Sequence, residues 1–136
     1  MAERRFLVPK GTERMREQFH FSQGVQVGPT IYVSGQGGWD AQFQLADNVG
    51  AQARQAFRNM ERVLQEGGAS LDDVVEITSY HLDMEQMPAV VEVLREVFPR
   101  HQPAWTAVGV TRLASRRMLI EIKATAITRH GVTYSR

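Results

Sequence analysis

The chain of 136 residues contains no cysteine. Disulfides, thiolate nucleophiles and cysteine-ligated zinc are therefore excluded, and the usage suits a reducing compartment. Long hydrophobic runs are missing as well. Near the start only Phe6-Leu7-Val8 is continuously apolar, too short for the core of a secretion signal or for a spanning helix. The expectation is a cytoplasmic protein without membrane association. No charge sign dominates: 16 Lys and Arg stand against 15 Asp and Glu, a formal net charge of +1. Such a balance creates no field that would draw the chain to nucleic acid or to lipid headgroups. No repeat, low-complexity tract or linker divides the chain, and this length supports one core but not two. A single domain over 1–136 is expected, with an ordinary globular composition of 43% hydrophobic and 23% charged residues.

Familiar chemical motifs are scarce too. The four histidines, His20, His81, His101 and His130, show no paired spacing and read as surface or strand residues rather than metal ligands, so no metal is expected. No serine sits in a nucleophile-elbow context. The run "SGQGG" (34–38) follows a strand pattern but lacks the Gly-Lys-Ser/Thr ending of a phosphate loop. It reads as a strand that needs a bulge or a close backbone approach. Arg112, Arg116 and Arg117 cluster at the turn of a final hairpin, with Arg129 and Arg136 following. A solvated turn explains them better than an RNA-phosphate patch, because net charge is near zero and no aromatic residues interleave.

What is present is strong periodicity. "RRFLV" (4–8) reads as a strand. "EQFHFSQGVQV" (17–27) alternates Phe19, Phe21, Val25 and Val27 and reads as a strand with a bulge at "SQG". Gly28-Pro29-Thr30 turns it into "IYVSGQ" (31–36), giving a hairpin. Residues 48–66 place Val49, Ala53, Ala56, Phe57, Met60, Val63 and Leu64 on one helical stripe, with Asp47 or Asn48 as cap and Gly67-Gly68 as stop. "VVEITSYHL" (74–82) is a strand. Asp83 caps a second helix with Met87, Val90, Val91, Leu94, Val97 and Phe98 as its stripe and Pro88 in its first turn. Residues 104–113 and 117–128 are the last strands. In the final one Met118, Ile120, Ile122, Ala124 and Ala126 alternate with Leu119, Glu121, Lys123, Thr125 and Ile127. Two helices can cover one face of such a sheet. The other face keeps Val108, Val110, Leu119 and Ile127, and an apolar sheet face of this kind calls for an oligomer in which sheet faces pack together.

Two residues raise functional questions. Glu121 lies mid-strand between two isoleucines, where a carboxylate is either ion-paired or works as a general acid/base or water-positioning group in a cleft, and spacing alone weighs the two equally. Trp105 opens the strand in "QPAWTAVGVTRL" (102–113) and is either plain core or the floor of a binding site.

The segments "YVSGQ" (32–36), "AQARQAFRNMERVLQEGGASLDDVVEITSYHLDMEQMPAVVEVLREVF" (51–98) and "PAWTAVGVTRLASRRMLIEIKATAI" (103–127) together resemble the RidA/YjgF family. These are the reactive intermediate deaminases, also labelled endoribonuclease L-PSP or translation inhibitor. The resemblance runs from about Phe19 to Ile127 and rests on the ordered set "SGQ", "QA..N", "GASLDDVV", "VTRL" and "IEIKATA". It implies an α+β, chorismate-mutase-like fold: a mixed β-sheet with two helices on one face, in a homotrimer with a central barrel and small-molecule clefts between subunits. It implies cofactor-free hydrolysis of imines and enamines such as 2-aminoacrylate to a 2-keto acid and ammonia.

Carried over position by position, the resemblance makes Glu121 the catalytic residue that positions water. Ser34 matches the family's serine before "GQ", and Phe21 stands where the family has a cleft tyrosine. Trp105 stands where it has the arginine that holds the substrate carboxylate, with Thr106 and Ala107 as adjoining substrate-binding positions. An arginine offers a fixed fork of donors, whereas tryptophan offers one neutral N–H and an apolar plate. Losing such a charge-assisted pair weakens carboxylate binding by about 10–100-fold. The less favoured alternative is that Trp105 plugs the cleft between subunits. If Trp39 also leans in, the cleft becomes an aromatic box for a flat, less charged ligand.

The expected function is therefore deaminase-type hydrolysis of an imine or enamine other than 2-aminoacrylate, with weak or no activity on 2-aminoacrylate itself. The alternative is a non-catalytic small-molecule binding or sensing trimer. RNA binding or cleavage ranks third, since a set of base, acid and phosphate-binding groups is not visible.

Overall fold

The computed structural model describes residues 3–129, so His130 and Arg136 fall outside the described residues. In chain order the elements are β1 (Arg4–Leu7), α1 (Glu13–Phe19), β2 (Gly24–Val27), β3 (Thr30–Gln36), α2 (Val49–Glu66), β4 (Val74–His81), α3 (Met87–Val97), β5 (Ala104–Gly109) and β6 (Ile120–Ile127). Short 3-10 turns at Leu71–Asp73 and Met84–Gln86 lead into β4 and α3. The strands form one sheet in the order β1-β2-β3-β6-β4-β5. β6 is antiparallel to both β3 and β4, so β3-α2-β4 is a parallel crossover with β6 slotted into its middle. β5 runs parallel to β4 after the α3 crossover and forms one edge of the sheet.

The mixed α+β architecture agrees with the sequence reading, with a third helix added. Residues 13–19 are helical, not part of a strand. Glu, Arg, Met and Gln are good helix formers, but α1 buries none of its residues, so no hydrophobic periodicity announced it. The bulge expected near residue 23 lies instead in β3, where Val33 pairs Ala124 and Gln36 pairs Ile122. β5 stops at Gly109, and the Val110 N–H makes the last rung of its ladder, to the His81 carbonyl at the end of β4. The segment after it crosses the end of β4 to reach β6, so no final hairpin forms.

One face of the sheet carries the core. Ile31, Val33, Ile77, Ile120, Ile122, Ala124 and Ala126 pack beneath the α2 stripe, all of whose expected apolar members are buried. Asn48 caps α2 by accepting the Ala51 N–H. In α3 the buried pair is Val90 and Val93, and Phe98 meets Phe57 edge to face at 5.4 Å. Val91 stays half-buried, since the helix is rotated to place Val93 inward. No helix among the described residues covers the opposite face. Phe6, Tyr32 and Val108 are exposed there, alongside the half-buried Ile127, while Leu119 packs on the core instead.

A buried polar side chain joins the two halves. Gln52, 1% exposed, donates to the carbonyls of Ala46 and Arg117 and accepts the Leu119 N–H, at 2.8–2.9 Å. Gly38 lets its loop lie against the same helix turn, since a Cβ there would meet the Gln52 carbonyl oxygen at 2.6 Å. Gln52→Leu leaves three backbone groups without partners. It is expected to cost about 2–4 kcal/mol, read as a lowered urea midpoint with unchanged slope. A loss below the error of the measurement would show that water replaces the amide.

Candidate active site

Glu121 points from β6 to the uncovered face, beside Gly35 in the β3 bulge. A Cβ at Gly35 would overlap the Glu121 carboxylate, with Cδ at 2.8 Å, so glycine is what allows the carboxylate to lie over β3. Glu121 is half-buried and has no hydrogen bond or ion pair among the described residues. The nearby cation Lys123 does not pair with it. Burial pushes its carboxyl above the usual glutamate range. The neighbouring Ser34 hydroxyl donates to the Ser22 carbonyl at 2.7 Å, while the Ser34 N–H bonds the Gln23 carbonyl. This ties the segment holding Phe21, itself 37% exposed, to the bulge. Gln36 backs the bulge with bonds to Gln23 and to the Ser34 carbonyl. Ser34 and Glu121 thus meet at the bulge, Phe21 lies one residue before the tethered Ser22, and Gly35 is the member that reading by motif did not single out for a role.

Trp105 lies on the other face of the same sheet. It pairs in register with Ile77 and packs on the core, and Ala107 shares its face. Its Nε1–H donates to Ser79 Oγ at 2.8 Å. Ser79 Oγ in turn lies 2.6 Å from His81 Nε2. Ser79 and His81 are each 1% exposed, and His81 Nδ1 has no partner among the described residues. Burial holds the His81 pKa below the usual histidine range, so the ring is neutral at neutral pH. Thr106 faces the uncovered side of β5, two strands from β6. Within one chain the structure therefore brings Ser34 and Glu121 to the same bulge, with Phe21 one residue before the tethered Ser22, and keeps Trp105 and Ala107 on the opposite face.

Trp39 folds back over Gly37 next to Met118, and its carbonyl accepts from Asn59 at 2.8 Å. No aromatic pair among the described residues joins it to Phe21 or Trp105. The arginine cluster is dispersed: Arg117 bonds the Leu45 carbonyl, and Arg129 pairs with Asp72 and Asp73 near the start of β4. Two cavities of the single chain, about 430 and 600 Å³, lie beside Arg100 and His101 and between the starts of α2 and α3, away from Glu121 and Trp105. No group of His, Asp and Glu suited to a metal occurs among the described residues, and no helix among them is long and apolar enough to cross a membrane.

A single mixed sheet with helices on one face and a lone carboxylate seated in a strand bulge on the other defines a class of small α+β domains. The chain belongs to the RidA/YjgF family, whose model, described as Endoribonuclease L-PSP, matches residues 12–128. It is 33% identical over 126 residues to the RutC family protein YjgH of Escherichia coli, covering 91% of this chain and 96% of that one. It is 34% identical over 109 residues to a 2-iminobutanoate/2-iminopropanoate deaminase of Dermatophagoides farinae, covering 79% and 84%. Among solved structures it is similar to Rv2704 of Mycobacterium tuberculosis, of the YjgF/YER057c/UK114 family, with a TM-score of 0.82, 32% identity and coverage of 93% and 100%.

A carboxyl with a raised pKa binds its proton more tightly in the folded chain than in the unfolded one. Stability then falls as pH climbs from the unfolded value of about 4.3 through the folded value. Glu121→Gln escapes this, so it should melt higher than wild type at pH 7.5, with the gap closing as pH drops below about 4. A lower melting point at pH 7.5 would mean the charged carboxylate has a stabilising partner.

Proposed function

We propose that this chain is a cofactor-free hydrolase of an imine or enamine other than 2-aminoacrylate, acting in clefts between the subunits of a homotrimer. The observation that carries the reading is the Glu121 carboxylate: half-buried, unpaired, raised in pKa and seated over Gly35 next to Ser34. A carboxyl poised in this way accepts a proton from water as the water oxygen attacks the imine carbon, and returns it to nitrogen as the C–N bond breaks. The sum is imine plus water giving carbonyl compound plus ammonia. Ser34 borders the same spot, and its bond to Ser22 brings the segment that carries Phe21 up to the bulge.

The facing of the strands supports a shared cleft. Glu121 and Trp105 occupy opposite faces of one sheet, so both can line a single cleft only if they come from different copies. The bare face with Phe6, Tyr32 and Val108 offers the apolar surface on which copies would pack. The names of deaminase relatives favour the chemistry. Trp105 argues against the usual small imino acid, since it brings no positive charge for a carboxylate. The same feature favours a second reading, a trimer that binds a small molecule without turning it over.

The test is ammonia release from freshly generated 2-aminoacrylate by wild type, Trp105→Arg and Glu121→Gln. Wild type should be slow, and Trp105→Arg faster by about tenfold or more. On any imine that wild type accepts, Glu121→Gln should lower turnover by about 100-fold while the trimer persists in sedimentation. A fast wild-type rate indifferent to Glu121→Gln would defeat the proposal, and inert wild type and Trp105→Arg would favour the binding reading.

A further inference from the structure

On the helix-covered face of β4 the pattern of buried residues changes character. Val74 and Ile77 are apolar, but the next two inward positions are Ser79 and His81, both sealed and flanked in β6 by Ile122 and Ile120. Two polar side chains in such a place cost free energy unless they bond to something. They bond to each other and to one further side chain, Trp105. The strand opposite makes room: Ala107 pairs Ser79 and Gly109 pairs His81. The Trp105 indole therefore runs along β5 towards Ala107 until its nitrogen reaches Ser79.

An indole N–H only donates, so Ser79 Oγ accepts it. A serine oxygen has a second lone pair and one hydrogen of its own, so it can pair with His81 Nε2 in either tautomer of the ring. In both cases Ser79 Oγ is held between the indole and the imidazole. Trp105 spends its single polar group in this way, and its half-exposed remainder is hydrocarbon.

We propose that Ser79 and His81 are positioning residues that turn the polar edge of Trp105 into the domain, so that the cleft takes a flat, uncharged group against the indole and not a carboxylate. This rests on the reading above that Trp105 lines the cleft. A tryptophan free to rotate could offer its N–H to an anion; the locked one cannot. The substrate class narrows to imines and enamines whose group facing Trp105 is neutral and apolar, aromatic ones above all.

The experiment follows the indole N–H signals of the full chain by NMR. There are two tryptophans, and Trp39→Phe assigns the Trp105 signal. Benzamide and benzoate serve as probes, sharing one ring and differing in charge. In wild type the Trp105 N–H should exchange slowly, and benzamide should shift its signal with an affinity at least about tenfold above that of benzoate. In Ser79→Ala exchange should quicken by about fivefold or more, and the preference for benzamide should shrink by a similar factor. Ser79→Thr, which keeps the hydroxyl, should restore both.

Unchanged exchange in Ser79→Ala, or faster exchange with unchanged preference, overturns the proposal. If exchange behaves as expected but the Trp105 signal ignores both probes, the placement of Trp105 in the cleft fails, and the selectivity with it, while the lock stands.

Discussion

The Gln52 side chain, sealed beneath α2, holds three backbone segments at one point: the loop before α2, the end of the β5–β6 connection and the first residue leading into β6. Glu121 follows Leu119 by two residues, so the direction in which β6 enters the sheet sets where that carboxylate lands. A second amide on α2, Asn59, bonds the carbonyls of Gly37 and Trp39 and fixes the other approach, the loop that leaves β3 just after the bulge. The seat over Gly35 thus depends on a helix whose apolar stripe makes the core and whose two amides place the strands' ends. An apolar residue at 52 would pack in the same volume but would leave those backbone groups without partners in a dry place.

The two faces of the sheet solve different problems. On the uncovered face the carboxylate is half-desolvated and unpaired, which raises its pKa and makes it a better proton acceptor than a solvated glutamate. On the covered face a tryptophan is held by a serine and a histidine, where hydrocarbon would be the default. Each is a local departure from what folding alone favours. Departures of this kind collect where a protein binds or reacts, because their cost must be offset by the rest of the core. Assembly would sharpen both. A neighbouring copy laid against the bare face would remove water from Glu121 and would strengthen the polar contacts around it.

Much of the fold was legible because its elements carry strong periodicity. The α2 stripe, its asparagine cap, the alternation of β6 and the β2–β3 hairpin all follow from spacing and turn chemistry. What escaped were features that spacing does not encode. α1 buries nothing, so only propensity could have revealed it. β5 ends where its partner β4 ends, at His81, and the slot of β6 between β3 and β4 is a matter of topology. Of the site, Glu121 was visible as a charge in an apolar strand, and the glycine run as a bulge or close approach. The separation of Trp105 from Glu121 was not visible, because it depends on which way each strand faces after pairing. The polar pair Ser79 and His81 did stand in the sequence, at alternate positions of an otherwise apolar face, and that alternation was the signal to follow.

Ser79 and His81 are hard to explain by stability. Two apolar residues at those positions would remove an unpartnered ring nitrogen and the desolvation of a hydroxyl, and Trp105 could turn its N–H towards water at the sheet edge. Such a replacement of a buried polar network by hydrocarbon is commonly neutral or stabilising. What it would forfeit is orientation. A single hydrogen bond at 2.8 Å selects one side of the indole, and a 2.6 Å bond behind it keeps the acceptor from rotating away. The same reasoning applies across the sheet, where glycine at 35 weakens a strand but lets the carboxylate lie flat over it. Both choices exchange packing for a defined placement of one functional group, and both sit on regular strands, where the backbone itself is rigid enough for the placement to hold.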